Sequence, residues 1–281
     1  MRIITAAVVQ AGSIPFDSAR SLDKALEFIE AAAGMGAELI VFPEAFLSGY
    51  PKGEDFGARV GVRTDEGRAL FRKYHESAID VPGPETERIG AASRDRAANL
   101  VIGVIERDRG TLYCTALFFD AVGALRGKHR KVMPTAMERL IWGFGDGSTL
   151  QVHDLSVGRV GAALCWENYM PLLRAHLYQQ GVELYCAPTV DDRDMWITTM
   201  RHIAYEGRCF VLSACQYVPD KIRGGSLIVN PFGDVLAGPN YSGECVLTAT
   251  LSLGQIVEGK FDLDVAGHYS RPDIFKLTVC E

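Results

Sequence analysis

The chain has 281 residues, of which 48% are hydrophobic and 23% are charged, a composition typical of a globular protein with a sizeable core. Its formal net charge of −6 argues against nucleic acid or an anionic membrane surface as the main partner. No apolar run approaches the roughly 18 residues that a membrane-spanning helix needs.

The first part of the chain alternates between strand and helix patterns. A strand is predicted at about Ile3 to Val9, rather than a signal peptide, because a single basic residue precedes a short apolar run. We therefore expect a cytoplasmic protein with reduced cysteines. Ser21 is predicted to cap a helix that Gly34 and Gly36 end. The segment AELIVFPEAF is typical of a buried strand, fully apolar from Leu39 to Phe42.

The rest of the chain continues this alternation. Helices are predicted from Asp65 to Ser77 and from Pro84 to about Ala98. Further strands are predicted in NLVIGVIER, TLYCTALFFD, GALRGKHRKV, RVGAAL, VELYCAP, RCFVLSACQ and ECVLTATLS, helices in ENYMPLLRAHLYQQG and RDMWITTMRHIAYEG, and a hairpin in SLIVNPFGDVLA. The pattern predicts an α/β fold. Because no linker or low-complexity tract divides the chain, we expect two sheets in one domain over residues 1–281.

Three predicted strands are followed by residues with catalytic potential. Functional polar residues often lie where a buried strand ends and its loop begins. Cys165 directly follows RVGAAL and comes before a predicted helix. Free backbone N–H groups at a helix start would favour a thiolate and could hold an oxyanion formed on a substrate. The alternative is a small buried hydrophobe, which is how we interpret Cys186, Cys209 and Cys215, predicted inside strands with no helix start behind them.

The other two strand ends carry Glu44 and Lys131, the second of these at the end of the basic run KHRK. Each alone fits a capping or surface role, and at most two side chains of the run can point inward from a strand. Beside the Cys165 thiol, however, a carboxylate supplies a base and an ammonium stabilises developing negative charge. The three residues form a complete set for hydrolysis through a covalent thiol adduct.

Competing chemistries lack their motifs in this chain. It has no G-x-S-x-G, H-E-x-x-H, P-loop or G-x-G-x-x-G sequence. Its seven cysteines include no C-x-x-C pair, so no zinc site is expected. Covalent thiol chemistry therefore remains the favoured interpretation.

These residues and their surroundings resemble the nitrilase superfamily of carbon–nitrogen hydrolases. The resemblance runs through VFPEAFLSGYP, GKHRKVMPT and CWENYMPLLR. The segments PTAMERLIWGFGDGST, ELYCAPT, MRHIAYEGRCFVLSACQ and GHYSRPDIF are similar to the true nitrilase branch, closest to plant nitrilases and their bacterial relatives. The resemblance implies a four-layer αββα sandwich with two mixed sheets face to face and helices outside. It also implies a homodimer or larger homo-oligomer, and no metal or organic cofactor.

The resemblance assigns roles to individual residues. It implies that Cys165 is the nucleophile, Glu44 the general base and Lys131 the charge stabiliser, with the backbone N–H near Trp166 assisting. Glu138 matches the second carboxylate that orients substrate or water, although the residues alone favour an ion pair with a neighbouring base such as Arg139. The implied reaction converts an organic nitrile and water to the carboxylic acid and ammonia, through a cysteine thioimidate and a thioester.

Substrate contacts are predicted in four residues, which are Trp166, Tyr50, Pro188 and Thr189. Trp142 is a further candidate for the pocket wall. An aromatic entrance would suit an arylaliphatic nitrile, while an aliphatic nitrile such as β-cyanoalanine stays open. Trp196 is interpreted as a core residue and His202 as a hydrogen-bonded structural histidine.

Three alternative functions remain open on the sequence. An amidase of the same superfamily, acting on a small amide, would pass through the same thioester. A non-enzymatic binding or assembly protein would have no need of Glu44, Lys131 and Cys165 together. A redox sensor would need a resolving cysteine, and none lies near Cys165 in the sequence.

Overall fold

Two six-stranded mixed β-sheets carry the fold in the computed structural model, which describes residues 2–280. The strands are β1 (Ile3–Gln10), β2 (Leu39–Val41), β3 (Asn99–Asp108), β4 (Thr111–Phe119), β5 (Leu125–Arg130), β6 (His153–Leu155), β7 (Gly158–Ala162), β8 (Leu184–Cys186), β9 (Phe210–Ser213), β10 (Tyr217–Val218), β11 (Ile222–Arg223), β12 (Ser226–Val229), β13 (Val235–Asn240) and β14 (Cys245–Ser252). The α-helices are α1 (Ser18–Gly34), α2 (Asp65–Ser77), α3 (Pro84–Arg96), α4 (Pro171–Gln179), α5 (Asp194–Gly207) and α6 (Gly254–Asp262). Short 3₁₀ helices are Ala136–Leu140, Gly147–Thr149 and Cys165–Tyr169.

The two sheets have matching topologies. The first has the order β14-β1-β2-β3-β4-β5 and the second β13-β12-β9-β8-β7-β6, while β10 and β11 form a small separate hairpin. In each sheet three neighbouring strands run parallel, β1 to β3 in the first and β7 to β9 in the second, with antiparallel strands outside them. The last strand, β14, pairs with β1, so the first sheet joins distant parts of the chain.

Side-chain alternation along the strands produces the layers. In β2, Leu39 and Val41 belong to a cluster between the two sheets, whereas Ile40 packs against α1 and α3 on the outer side. The strand β8 alternates in the same way between the inner cluster and one formed with α4 and α5. A strand covered on both faces must be apolar at every position, which explains the continuous apolar runs in the sequence. The predicted αββα sandwich is thereby confirmed.

Two local predictions were wrong. Asp17, not Ser21, caps α1, because its side chain accepts the Arg20 N–H at 3.0 Å. Ser21 is buried inside the helix and exchanges hydrogen bonds with the backbone of Ile14. The helix predicted in ENYMPLLRAHLYQQG begins only at Pro171, because a proline fits the first turn of an α-helix but not its interior.

None of the helices within residues 2–280 is long and apolar enough to cross a membrane.

Candidate active site

The side chains of Glu44, Lys131 and Cys165 come together where strands of the two sheets end. Lys131 Nζ lies 2.6 Å from Glu44 Oε1, and Cys165 is close enough for the Glu44 carboxylate to shift its pKa. The three residues are 0%, 1% and 3% exposed, respectively. The fold thus unites three groups that are 121 positions apart at the extremes (165 − 44).

The period of two along β5 selects which basic residues reach the interior. His129 and Lys131 are buried, whereas Lys128 and Arg130 point to the other face and bind Glu106 at 2.5 Å and 2.6 Å. The prediction that at most two residues of the run point inward is confirmed. Lys131 directly follows β5, and its backbone N–H donates to the Cys114 carbonyl of β4 at 2.8 Å, which keeps the alternation of the strand and directs the ammonium inward.

Glu138 belongs to the same cluster. Its carboxylate accepts hydrogen bonds from Lys131 Nζ at 2.9 Å, the Tyr50 hydroxyl at 2.7 Å and the Thr135 N–H at 2.6 Å. Arg139 donates instead to the Ala136 carbonyl. The ion pair with Arg139 that the residues alone favoured is therefore wrong, and Tyr50 fixes the second carboxylate beside the ammonium.

Cys165 occupies an unusual backbone position. Its φ is +48°, in the left-handed region, which costs a non-glycine residue on the order of 1–3 kcal/mol. The Cys165 N–H donates to the Pro188 carbonyl at 2.9 Å, and the Asn168 side chain donates to the Cys165 carbonyl at 2.8 Å. These bonds hold the backbone in the strained turn, and the turn places the sulfur at the cavity floor.

Burial, followed by the Glu44 carboxylate, raises the pKa of Cys165 above its ordinary value, while Lys131 and the Thr189 hydroxyl act in the opposite direction. The expectation that a helix start favours the thiolate is therefore wrong, because only a five-residue 3₁₀ turn follows the cysteine. Burial also raises the pKa of Glu44 against the attraction of Lys131. A neutral thiol needs a base, and Glu44 Oε2 has no hydrogen-bond partner within residues 2–280.

Burial opposes the charged form of Lys131, but the neighbouring Glu44 and Glu138 carboxylates raise its pKa above the ordinary value. The side chain therefore stays an ammonium at neutral pH. A positive charge in a buried site stabilises nearby negative charge far more strongly than the same charge does in water.

Glu167, which the sequence analysis did not single out, links the strand end of the nucleophile to that of the lysine. Its carboxylate accepts the Leu164 N–H at 2.7 Å and the Val132 N–H at 2.6 Å, and His129 Nε2 lies 2.9 Å from it. Burial alone would raise its pKa, but His129 and the two backbone N–H groups lower it. The signal in the sequence was the acidic residue of CWEN, enclosed between apolar segments.

We expect Glu167→Gln to lower the free energy of unfolding at pH 7 by about 1–3 kcal/mol, because an amide cannot accept all of these hydrogen bonds. Since the folded pKa of Glu167 is depressed, its contribution is present above the ordinary value of 4.5 and is lost as the pH falls through the folded pKa. Urea unfolding from pH 7 to pH 3 measures this. Glu66→Gln, at an exposed helix position, is the control; equal losses in the two variants would refute the role of Glu167.

A cavity of about 370 Å³ opens above Cys165. Two of the predicted substrate contacts, Trp166 and Tyr50, line it, and so does Trp142. Trp166 is 42% exposed, its indole N–H donates to Asp191 at 3.0 Å, and the Arg193 guanidinium lies 4.7 Å from the ring centroid. This indole is therefore a fixed wall beside the nucleophile.

Pro188 and Thr189 occupy a different place from Trp166 and Tyr50. Neither lines the cavity; the Pro188 carbonyl binds the Cys165 N–H, and the Thr189 hydroxyl lies 3.2 Å from Cys165 Sγ. In the structure both residues contact the nucleophile, and their contact with the substrate stays a prediction. The sequence alone could not distinguish a residue that contacts the substrate from one that contacts the nucleophile, because both lie close to the same sulfur atom.

The remaining sequence interpretations have mixed outcomes. Trp196 is a core residue, as predicted, and its indole N–H donates to Ser213 at 2.9 Å. His202 is exposed on α5, so the prediction of a hydrogen-bonded structural histidine was wrong. Cys186 lies inside β8, whereas Cys209 and Cys215 flank β9 and do not lie within it, although all three are buried.

The chain is similar to known proteins over nearly its whole length. The Carbon-nitrogen hydrolase family model matches residues 5–261. Nitrilase blr3397 of Bradyrhizobium diazoefficiens is 59% identical, with 98% of this chain and 91% of that protein covered. The Aliphatic nitrilase of Sinorhizobium fredii is 55% identical, with 98% and 95% covered. Nitrilase 2 of Arabidopsis thaliana is 52% identical, with 99% and 89% covered.

Solved structures are similar in fold. The NitFhit protein of C. elegans superposes with a TM-score of 0.81 at 21% identity, covering 99% of this chain and 68% of that chain. Nit3 of Saccharomyces cerevisiae superposes with a TM-score of 0.78 at 23% identity, covering 95% and 97%. At these identities the likeness concerns the arrangement of the two sheets and their helices.

Proposed function

The chain belongs to the carbon–nitrogen hydrolase family, and we propose that it acts in this family as a nitrilase, hydrolysing organic nitriles to carboxylic acids and ammonia. The observation that carries the proposal is the buried Cys165 thiol at the floor of a cavity, with Glu44 and Lys131 beside it. The names of relatives at 52% to 59% identity support nitriles over amides as substrates.

The first half of the reaction forms the covalent adduct. Glu44 takes the Cys165 proton as the sulfur adds to the nitrile carbon, and the proton passes to the nitrile nitrogen, giving a neutral thioimidate. Glu44 then takes a proton from a water molecule, which attacks the same carbon. The nitrogen takes the proton held by Glu44 and then the proton of the new hydroxyl group, and it leaves as ammonia. The carbon keeps the water oxygen as a thioester.

The second half releases the acid. A second water, deprotonated by Glu44, attacks the thioester carbon. The carbon–sulfur bond then breaks with its electron pair going to Cys165, and Glu44 passes its proton to the sulfur. Lys131 supplies a fixed positive charge for the tetrahedral intermediates. The backbone N–H of Trp166 is a second donor to these intermediates, since it makes no backbone hydrogen bond within residues 2–280. Glu138, held by Lys131 and the Tyr50 hydroxyl, orients the water.

The substrate class follows from the cavity wall. Trp166, Trp142 and Ile141 provide apolar surface, and Trp166 is fixed by Asp191, so an arylaliphatic or aliphatic nitrile of modest size fits the proposal. The proposal also includes a single catalytic domain over residues 1–281, a homodimer or larger homo-oligomer, and a cytoplasmic location. Analytical ultracentrifugation of the purified protein tests the assembly.

A panel of aliphatic, arylaliphatic and aromatic nitriles with the matching amides tests the proposed function. We expect ammonia release from at least one nitrile, with the carboxylic acid as main product. Release from an amide without release from its nitrile would favour the amidase. No release from any substrate, together with equal alkylation rates at all seven thiols, would favour a non-catalytic protein.

A second buried cysteine near Cys165 bears on the alternative function of redox sensor. Cys215 packs in the same small apolar cluster as Cys165, although the two are 50 positions apart (215 − 165). However, burial raises the pKa of both thiols, so neither is a ready thiolate. This favours hydrolysis over redox sensing.

A further inference from the structure

The Thr189 hydroxyl lies between the nucleophile and a backbone donor. Its oxygen is 3.2 Å from Cys165 Sγ and 2.8 Å from the Asp191 backbone nitrogen. The side chain is fully buried. A hydroxyl carries one proton and two acceptor lone pairs, so what its neighbours offer determines the direction in which it donates.

The neighbours direct the Thr189 proton toward sulfur. The Asp191 N–H occupies one lone pair of the hydroxyl oxygen and cannot accept a proton in return. Within residues 2–280 the Thr189 oxygen has two hydrogen-bond partners, the Asp191 N–H, which is a donor, and Cys165 Sγ. The sulfur is then the acceptor that remains for the Thr189 hydroxyl.

The backbone holds Thr189 in this position from both sides. Its N–H donates to the Ala214 carbonyl at 2.9 Å, and its carbonyl accepts the Gln216 N–H at 3.2 Å. Asp191 is fixed in turn, because its carboxylate binds Arg193 and the Trp166 indole. The hydroxyl therefore needs no rearrangement when charge develops on sulfur, which is the condition for effective electrostatic stabilisation.

We propose that Thr189 is a further catalytic residue, whose hydroxyl donates a hydrogen bond to Cys165 Sγ whenever the sulfur carries negative charge. Sulfur does so twice in a turnover: when it loses its proton to Glu44 and attacks, and when the carbon–sulfur bond of the thioester breaks and its electron pair returns to sulfur. Between these points the sulfur is a neutral thioether-like atom, and the hydrogen bond that it accepts from Thr189 is weak. The inference rests on the proposed function only for this second point.

The surroundings of Cys165 explain why such a donor is needed. Burial and the Glu44 carboxylate both disfavour the thiolate, and Lys131, which favours it, is shared with two carboxylates. Lys131 therefore cannot offset both effects alone. A neutral donor stabilises the sulfur anion without adding a charge that would itself need a partner in the interior.

The test compares Thr189→Val, which keeps the shape and removes the hydroxyl, with Thr189→Ser, which keeps the hydroxyl. The readout is the rate at which iodoacetamide alkylates Cys165 between pH 6 and pH 10, followed by mass spectrometry of the peptide that contains it. We expect Thr189→Val to slow alkylation at pH 8 by about 10- to 100-fold, the range for a hydrogen bond to a charged group, and to move the pH midpoint upward. Thr189→Ser keeps both near the wild-type values.

Turnover provides a second readout. Because the hydroxyl acts on sulfur and does not line the cavity, we expect kcat to fall in Thr189→Val while KM stays within about twofold. Wild-type alkylation rates in both variants would overturn the proposal, and so would equal losses in both, which would indicate packing. If Thr189→Val does not fold, Thr189→Ala replaces it. Alkylation needs no nitrile, so an inactive wild type would refute the proposed function and leave this test intact.

Discussion

Cys165→Ala is expected to abolish nitrile hydrolysis and leave the fold intact. Cys114 Sγ also donates to Glu44 Oε1, at 3.5 Å, but among the described residues Cys165 is the cysteine that lines the cavity, so no other thiol can replace it. Loss of a catalytic nucleophile lowers kcat on the order of 10⁶-fold. Alanine removes one sulfur atom from a site already next to the cavity, so the free energy of unfolding changes by at most about 1–2 kcal/mol.

Ammonia release and urea unfolding measure the two parts of this prediction. Cys186→Ala is the matched control, since it removes a buried thiol from β8, the strand next to β7, without touching the cluster. We expect this control to lose stability and keep its turnover. Appreciable hydrolysis by Cys165→Ala, or an equal loss of activity in the two variants, would refute the assignment of the nucleophile.

The second large effect is expected for Lys131→Met, which loses both activity and stability. The ammonium is 2.6 Å from Glu44 and 2.9 Å from Glu138, and its side chain is buried. Its removal leaves two carboxylates without their shared cation, and breaking a buried ion pair in this way costs about 3–5 kcal/mol of stability. Turnover falls by at least about 10²-fold, because the developing negative charge on the substrate loses its main stabiliser.

The pH dependence separates this mechanism from a simple packing defect. Without Lys131, the folded-state pKa of Glu44 rises further above its unfolded value, so the variant is stable with Glu44 protonated and loses stability as the pH rises through that pKa. The stability gap to wild type should therefore widen from pH 5 to pH 8. Adding Glu44→Gln should recover part of the stability and none of the activity. Lys276→Met, at an exposed position, is the control. A stability difference between wild type and Lys131→Met that does not change with pH would contradict the loss of an ion pair as the cause.

Much of the fold could be predicted because it is encoded in short-range patterns. Alternating apolar strands and amphipathic helices predict an α/β fold, and continuous apolar runs such as the one ending at Phe42 predict strands covered on both faces. Cap positions were less predictable, since Asp17 and Ser21 are equally good caps by type. Only the hydrogen bonds of Ser21 to the Ile14 backbone settle which residue lies inside the helix.

The sequence by itself determined which residues end the strands, and so it placed Glu44, Lys131 and Cys165 at the boundary between buried strand and loop. The tertiary structure alone decided the contacts among them, such as the 2.6 Å between Lys131 and Glu44. It also decided the position of Thr189, whose hydroxyl lies 3.2 Å from the sulfur in the packed structure. The physical reason is that burial follows from local hydrophobic pattern, whereas a hydrogen bond between distant residues depends on how the layers pack.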